Sequence, residues 1–249
     1  MLLINNISKR FSHDYAVQQL SLEVLPGEVF CLLGSNGAGK STTLNLILGF
    51  LQADSGDIHI DQQKLDINDK HSISDIRQKI VYIPEQMNLY PQFSALENIE
   101  YLAQLSGISP TQSQCTAALT KTGLTKNMWD KPLKDYSKGM RQKVGIAFAI
   151  VREAKLLLLD EPTSGLDPSA TAEFINIIQA LAKQGAAVLM VTHDLECTTQ
   201  LADKIAILKQ GEIVSQFSHQ DLAQESLSLR YHQAINPDLA GQQLLKRGA

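Results

Sequence analysis

The stretch Val29 to Ser41 reads VFCLLGSNGAGKS and determines how the rest of the chain is understood. Val29–Leu33 is a continuous apolar run typical of a buried strand, and residues 34–41 match the pattern G-x-x-x-x-G-K-[ST]. Apolar residues then recur at helical spacing, at Leu44, Ile47, Leu48 and Leu51. A strand, a glycine-rich loop and a helix in this order are the context that a phosphate-binding loop requires.

Each residue type in this loop has a chemical role. Glycines let the backbone wrap so that N–H groups and the helix N-terminus point at phosphate oxygens. Lys40 supplies a cation for the terminal phosphates, and Ser41 offers a hydroxyl to Mg²⁺. The candidate nucleotide-binding residues of the loop are Gly34, Ser35, Asn36, Gly37, Ala38, Gly39, Lys40, Ser41 and Thr42.

A second apolar run, Leu156–Leu159, ends in the carboxylates Asp160 and Glu161. Ligands of a parallel sheet bind at the carboxyl ends of its strands, so we expect Asp160 beside the phosphate loop, where it can hold Mg²⁺. Glu161 then lies next to it and can polarise a water molecule. Alone, such a run would indicate a core strand ending in solvated acids; beside a phosphate loop the pair favours hydrolysis.

Composition excludes several classes of protein. The chain has 249 residues, 44% of them hydrophobic and 19% charged, which predicts a globular protein with a substantial core. Its 22 Lys and Arg against 26 Asp and Glu give a net charge of -4, so we do not expect nucleic acid as a partner. Cys31, Cys115 and Cys197 are far apart and form no CxxC pair, which argues against disulfides and zinc.

No stretch predicts a membrane span or a secretory signal. Apolar runs such as 144–151 fall short of the roughly 18 to 20 residues that cross a bilayer. Residues 1–10 lack a basic segment followed by an apolar stretch and a cleavage site. We therefore expect the chain in a reducing, cytosolic environment.

Strand and helix patterns alternate along the chain and predict an α/β fold with a mostly parallel sheet. The expected strands are Leu2–Ile4, Leu20–Val24, Val29–Leu33, Asp57–Asp61, Val81–Ile83, a run from Leu156, Ala187–Val191 and Ile205–Leu208, the last forming a hairpin with Ile213 and Val214. The expected helices include Ala95–Gly107, Thr111–Thr122, Lys138–Arg152 and Ser169–Lys183.

The segment Tyr136–Met140, YSKGM, resembles the signature segment of ATP-binding cassette (ABC) ATPases, whose usual form is LSGGQ. Ser137 and Gly139 match strictly: a serine can cap the following helix, and a glycine allows close backbone approach to a γ-phosphate. Lys138 and Met140 depart from the usual form, in a variant similar to that of two-component exporters. The resemblance implies that these four residues bind a nucleotide held by another subunit.

Further elements of this family follow in the expected order, from about Phe11 to Val214. Phe11 stands where the family places an aromatic ring that stacks on adenine. Ser164–Asp167 resembles the D-loop, with Asp167 as its acidic residue. His193 resembles the switch histidine, so the resemblance implies Glu161 and His193 as the catalytic residues.

One position departs from the family pattern. The Q-loop glutamine of the family directly follows a Tyr-(Ile/Leu)-Pro sequence, and in Val81-Tyr-Ile-Pro-Glu85-Gln86 that place holds Glu85. Either Glu85 takes over the water and Mg²⁺ contacts, or the loop shifts so that Gln86 reaches them. We keep both residues as candidate metal contacts beside Ser41 and Asp160.

The resemblance implies a RecA-like P-loop NTPase core with an N-terminal antiparallel β portion and an inserted helical subdomain. The core would comprise residues 1–84 and 153–215, and the helical signature subdomain residues 85–152. A tail of residues 216–249 remains, to which we assign no chemistry.

The implied function is that of the ATP-binding and ATP-hydrolysing subunit of an ABC transporter, specifically an ABC-2-type exporter, whose cargo the sequence does not identify. Its cofactors would be ATP and Mg²⁺, and its partners an integral membrane permease and a second copy of itself or a paralogous ATPase, paired head to tail. It would lie peripherally on the cytoplasmic face of the plasma (inner) membrane. A non-transport ABC ATPase acting on a macromolecular complex is the alternative, whereas a P-loop kinase would leave the signature segment, the D-loop and His193 without a role.

Overall fold

The computed structural model describes residues 1–223 and 225–236 and contains two β-sheets with helices packed around them. The strands are β1 (Leu2–Phe11), β2 (Asp14–Val24), β3 (Val29–Leu33), β4 (Ser55–Ile60), β5 (Gln63–Lys64), β6 (Ile80–Ile83), β7 (Leu156–Asp160), β8 (Ala187–Thr192), β9 (Lys204–Lys209) and β10 (Glu212–Ser218). The α-helices are α1 (Lys40–Ile47), α2 (Lys70–Lys79), α3 (Ala95–Leu105), α4 (Gln112–Lys121), α5 (Lys138–Val151), α6 (Pro168–Lys183), α7 (Leu195–Leu201) and α8 (Leu227–Ile235).

The six-stranded central sheet has the order β10-β9-β3-β8-β7-β6. Its strands β9, β3, β8, β7 and β6 are parallel to their neighbours, and only β10 pairs antiparallel, through the hairpin with β9. This arrangement confirms the predicted α/β fold and its mostly parallel sheet. Because parallel neighbours share one direction, the carboxyl ends of β3, β7 and β8 meet at one edge.

The central strands are buried on both faces, which explains their continuous apolar runs. In β3, Phe30 and Leu32 pack into the core between the two sheets, whereas Val29, Cys31 and Leu33 pack against the helices on the other side. Helix α1 lies in the first of these cores, where its side chains Leu44, Leu46 and Ile47 are buried. The phosphate loop is thus fixed between a buried strand and a buried helix.

The N-terminal sheet has the order β2-β1-β4-β5 and is the antiparallel β portion that the family resemblance implies. Its first strand is longer than the expected Leu2–Ile4, because pairing with β2 continues through Phe11. Register shifts interrupt this pairing, and Asn6 and Gln19 both adopt a φ of 47°. Each irregularity breaks the in-out alternation of side chains, so periodicity did not reveal the strand's full length.

Helices α3, α4 and α5 lie between β6 and β7 and pack on one another, all within the expected helical segment 85–152. Capping boxes start two of them: Ser94 with Glu97 at α3, and Thr111 with Gln114 at α4. These reciprocal side-chain bonds satisfy backbone N–H groups that a helix start would leave free.

Helix α2 was not predicted. Its ten residues are mostly polar, and Ile76 is the only one of them that is buried, so no apolar stripe marks it in the sequence. Asp69 caps it by accepting a hydrogen bond from the His71 N–H at 2.9 Å.

The carboxyl-terminal boundary also differs from expectation. Strand β10 continues to Ser218, which pairs with Lys204, so the boundary expected after residue 215 falls within a strand. Beyond it α8 packs back on the core through buried Leu227, and Lys209 Nζ donates to the Ile235 carbonyl at 2.7 Å. Residue 224 and residues 237–249 of the expected tail lie outside the described residues. Across 1–223 and 225–236, no helix combines the length and apolarity of a membrane span.

The close packing of the phosphate loop against β2 can be tested with glycine substitutions. A Cβ on Gly39, which has a φ of 111°, would lie 2.3 Å from the Ala16 carbonyl oxygen, whereas a Cβ on Gly37, with a φ of 81°, would meet no atom within 4 Å. We expect Gly37→Ala to lower the free energy of unfolding by about 1 kcal/mol and Gly39→Ala by about 3 kcal/mol, measured by urea denaturation. Equal losses would contradict this packing.

Candidate active site

The carboxyl edge of the central sheet brings together side chains that are far apart in sequence. An open cleft of about 290 Å³ lies where β3 leads into α1 and where β7 ends. Most of the predicted phosphate-loop residues line it, together with both predicted strand-end carboxylates. The lining residues are Ala16, Ser35, Asn36, Gly37, Gly39, Lys40, Ser41, Thr42, Glu85, Asp160 and Glu161.

Two predicted loop residues support the loop without lining the cleft. A Cβ on Gly34 would lie 2.8 Å from the Leu208 carbonyl oxygen and 2.9 Å from the Ala38 Cβ, so only glycine fits where the loop leaves β3. The Ala38 carbonyl accepts a hydrogen bond from the Gly211 N–H at 2.9 Å, which ties the loop to the turn between β9 and β10.

The Lys40 side chain folds back over the loop that carries it. Its Nζ donates to the carbonyls of Gly34 at 2.6 Å and Ser35 at 3.2 Å, and it lies 3.1 Å from Glu161 Oε1. The exposed fractions of the two charged side chains are only 7% for Lys40 and 12% for Glu161. Each compensates a charge that would be costly to bury unpaired.

The Glu161 carboxylate is held on its other side by the end of β8. Its Oε2 accepts hydrogen bonds from the Thr192 hydroxyl at 3.0 Å and the His193 backbone N–H at 3.2 Å, and lies 2.8 Å from His193 Nδ1. Glu161 adopts a φ of 45°, a left-handed turn that follows directly on β7. Such a conformation costs about 1 kcal/mol for a non-glycine residue and is maintained here by these contacts.

The environment shifts the pKa values of the two neighbouring carboxylates in opposite directions. Burial disfavours the ionised form of Glu161, but hydrogen bonds from His193 and Lys40 outweigh it and lower the pKa below its ordinary value. Burial raises the pKa of Asp160, and the charges of Glu161 and Glu85 raise it further. A lowered pKa keeps the Glu161 carboxylate in its ionised form at neutral pH, as a proton acceptor requires.

The structure places the two Q-loop candidates differently. Glu85 lines the cleft, and its Oε1 accepts a hydrogen bond from the Ser164 hydroxyl at 3.0 Å. Gln86 is exposed and is not among the residues that line the cleft. Of the two alternatives, Glu85 is the one near Asp160.

The signature residues lie apart from the cleft of their own chain. Ser137 caps α5, as predicted, and its Oγ accepts a hydrogen bond from the Met140 N–H at 3.3 Å. A groove between α5 and α6 is lined by Ser137, Gly139 and Met140, and also by Asp167, which caps α6. Lys138 does not line this groove; its Nζ donates to the Ser164 carbonyl at 2.5 Å.

Phe11 does not line the phosphate cleft either. It lies at the end of β1 with 48% of its surface exposed, and the Lys9 Nζ lies 5.8 Å from the centre of its ring. Residue Ala16 of the following strand β2 does line the cleft. The Phe11 ring is thus an exposed aromatic surface on the hairpin that borders the cleft.

Several residues of the site were not predicted. The Tyr82 hydroxyl donates to Asp160 Oδ2 at 3.0 Å, and the Thr192 hydroxyl binds Glu161 as described. The Thr163 hydroxyl donates to Asp194 Oδ2 at 2.9 Å. The available signal was position: Tyr82 and Thr192 lie in strands that end at the carboxyl edge of the sheet, and Thr163 follows the end of β7 by three residues.

Comparison with known proteins agrees with this geometry. The model of the ABC transporter family matches residues 17–164, more than half of the chain. The linearmycin resistance ATP-binding protein LnrL of Bacillus subtilis is 33% identical, over 89% of this chain and 70% of that protein. The Nod factor export ATP-binding protein I of Burkholderia orbicola is 30% identical, over 94% of this chain and 76% of that protein.

A solved structure extends the comparison to the fold. The dimeric ATP-binding cassette MJ0796, in a post-hydrolysis state bound to ADP and Pi, superposes with a TM-score of 0.77 at 27% identity. The match covers 88% of this chain and 99% of that one. The chain therefore belongs to the ABC transporter family, as an ATP-binding subunit that hydrolyses ATP.

Proposed function

We propose that this chain powers an ABC-2-type exporter by closing as a head-to-tail dimer around two ATP molecules and opening after hydrolysis. One observation carries the proposal. The phosphate loop, Asp160 and Glu161 share one cleft, while the N-terminus of α5 lies outside that cleft. One chain therefore covers only one side of a nucleotide bound in the cleft.

The cleft suits the phosphates of ATP. Lys40 offers its ammonium, and the Gly39 N-cap conformation leaves the start of α1 without a side-chain cap, so its N–H groups are available to an anion. When phosphates bind, they replace Glu161 as the main anionic neighbour of Lys40. The exposed ring of Phe11 would stack on the adenine.

The residues present also fit Mg²⁺. The Ser41 hydroxyl and the Asp160 carboxylate are hard oxygen ligands, and both line the cleft. Tyr82 holds Asp160 by donating to Oδ2, and Glu85 adds negative charge nearby. Bound Mg²⁺ would neutralise phosphate charge during hydrolysis.

Glu161 would act as the general base. Among the described residues the partner of its buried Oε1 is the Lys40 ammonium, so this oxygen can accept a hydrogen bond from the attacking water once Lys40 turns to the phosphates. Thr192 and His193 fix the other oxygen, Oε2, and so orient the carboxylate. His193, with 58% of its side chain exposed, can also reach towards a nucleotide.

The placement of the signature residues supports the proposed dimer. Helix α5 has 14 residues, and its N-terminus carries the partial positive charge of the helix dipole. Ser137 and Gly139 would present this end to the γ-phosphate held by the second subunit. The second subunit is another copy of this chain or a paralogue, and the resemblance to a dimeric cassette supports the pairing.

The export function is supported by the YSKGM segment and by a relative whose name states Nod factor export. We propose an integral membrane permease as partner, which would hold the chain peripherally on the cytoplasmic face of the plasma membrane. Reconstitution in vesicles with a polytopic membrane protein that co-purifies with this chain tests it. ATP-driven efflux supports export; uptake, or binding to ribosomes or DNA instead of the membrane protein, contradicts it.

Substitution Glu161→Gln tests the general base and the dimer together. The amide can still accept a hydrogen bond from water but cannot take its proton, so ATP hydrolysis should fall at least ~100-fold while ATP still binds. With ATP and Mg²⁺ the variant should have the mass of a dimer in light scattering. The matched control is Glu212→Gln, on exposed β10, which should hydrolyse ATP like the unmodified chain.

Hydrolysis by Glu161→Gln at the unmodified rate would show that another group activates the water. A variant that is inactive but remains a monomer with ATP and Mg²⁺ would contradict the head-to-tail dimer.

A pair of alanine variants tests the Q-loop assignment. Because Glu85 lines the cleft and Gln86 does not, Glu85→Ala should lower kcat about tenfold, the scale of one lost charge-assisted contact, with ATP binding retained. Gln86→Ala should stay within about twofold of the unmodified rate, since its exposed side chain makes no such contact. Steady-state ATPase assays with and without the permease provide the comparison. A severe defect in Gln86→Ala with a near-normal Glu85→Ala would show that the loop shifts by one residue.

A further inference from the structure

Two side chains near the N-terminus of α5 donate hydrogen bonds to the segment that follows Glu161 in the same chain. Lys138 and Gln142 are four residues apart and therefore share a face of the helix. Lys138 Nζ donates to the Ser164 carbonyl at 2.5 Å, and Gln142 Nε2 donates to the Pro162 carbonyl. Two side chains of α5 thus hold carbonyls on either side of Thr163.

The same segment is fixed from two other directions. The Thr163 hydroxyl donates to Asp194, which directly follows His193 and caps α7. The Ser164 hydroxyl donates to Glu85 Oε1, and Lys138 Nζ lies 3.9 Å from that same oxygen. Residues 162–164 therefore connect α5, the loop after β6 and the end of β8.

Lys138 has an electrostatic reason for this orientation. A cation in the first turn of a helix is disfavoured by the helix dipole, so Lys138 needs a negative or carbonyl partner. Ser164 and Glu85 of its own chain provide both. The family resemblance assigns Lys138 to the nucleotide of the opposite subunit, but its ammonium contacts Ser164 and Glu85 of its own chain, and Glu85 lines the cleft of that chain.

We propose that Lys138 is a positioning residue for the active site of its own subunit: it holds residues 162–164 and Glu85 in the arrangement that orients Glu161. This rests on the proposed function, in which Glu161 is the base and Glu85 the Q-loop residue. Helix α5 then serves two sites at once. Its backbone N-terminus faces the second subunit's ATP, and its Lys138 side chain stabilises the cleft of its own chain.

Hydrogen exchange in the nucleotide-free chain tests the contact without requiring a dimer. The N–H groups of Ser164 and Leu166 bond the carbonyls of Glu161 and Thr163 and report on this turn. Lys138→Met keeps most of the aliphatic stem and removes the ammonium, so these amides should exchange about tenfold faster, the scale of one lost charged hydrogen bond. Lys134→Met, at an exposed lysine nearby, is the matched control and should leave them unchanged. Unchanged exchange in Lys138→Met would overturn the proposal.

Mixed dimers separate action within one subunit from action across the interface. Lys40→Ala disables the cleft of the subunit that carries it, so each heterodimer, purified through a different affinity tag on each subunit, keeps one working site. Pairing Lys40→Ala with Lys138→Met leaves that site in the subunit lacking Lys138, and we expect kcat about tenfold below that of Lys40→Ala paired with the unmodified chain, with KM for ATP unchanged. Placing both substitutions in one subunit, paired with the unmodified chain, should restore the reference rate.

The opposite pattern, with the defect only when both substitutions are in one subunit, would show that Lys138 acts on the second subunit's nucleotide and overturn the proposal. A reference dimer without ATPase activity would instead count against independent sites in the proposed function, and the exchange measurement then decides the role of Lys138 by itself. Failure of the positioning role and failure of the dimer are therefore distinguishable.

Discussion

The buried ion pair between Lys40 and Glu161 is the interaction on which the site depends. The Glu161 carboxylate lies between the Lys40 ammonium, which comes from the helix after β3, and the hydroxyl and backbone N–H that end β8. These groups meet only because β3 and β7 both pair in parallel with β8, so that their carboxyl ends lie at one edge. Removing one partner of so deeply buried an ion pair would leave the other charge buried without compensation, which costs several kcal/mol. The two side chains are therefore held together in one geometry.

This geometry allows Lys40 to exchange its ionic partner from Glu161 to a phosphate group. Lys40 is already directed into the cleft, and a phosphate that enters can take over its charge while His193 and Thr192 keep Glu161 in place. The carboxylate released from Lys40 is then oriented towards the position of the nucleotide. In the proposed mechanism, binding and hydrolysis use the same two residues in different pairings.

The sequence was most informative where chemistry and periodicity coincide. Val29–Leu33 and Leu156–Leu159 are buried on both faces, so their apolar runs marked the central strands, and the loop pattern at residues 34–41 located the cleft. It was least informative where tertiary contacts decide. Helix α2 buries a single side chain, and irregular pairing hides the length of β1. The partners of Glu161 on β8, and the direction of Lys138, depend on which strands and helices are neighbours in space.

ATP affinity of the Lys40→Ala chain tests the central claim most directly, because the proposed function makes Lys40 the cation that binds the phosphates. Titration with a fluorescent ATP analogue should show binding weakened about 100-fold, as expected when charged hydrogen bonds worth about 3 kcal/mol are lost. Lys64→Ala, on the exposed hairpin strand β5, provides the control and should bind like the unmodified chain. Unchanged affinity in Lys40→Ala would show that the nucleotide binds elsewhere and would contradict the assignment of this cleft.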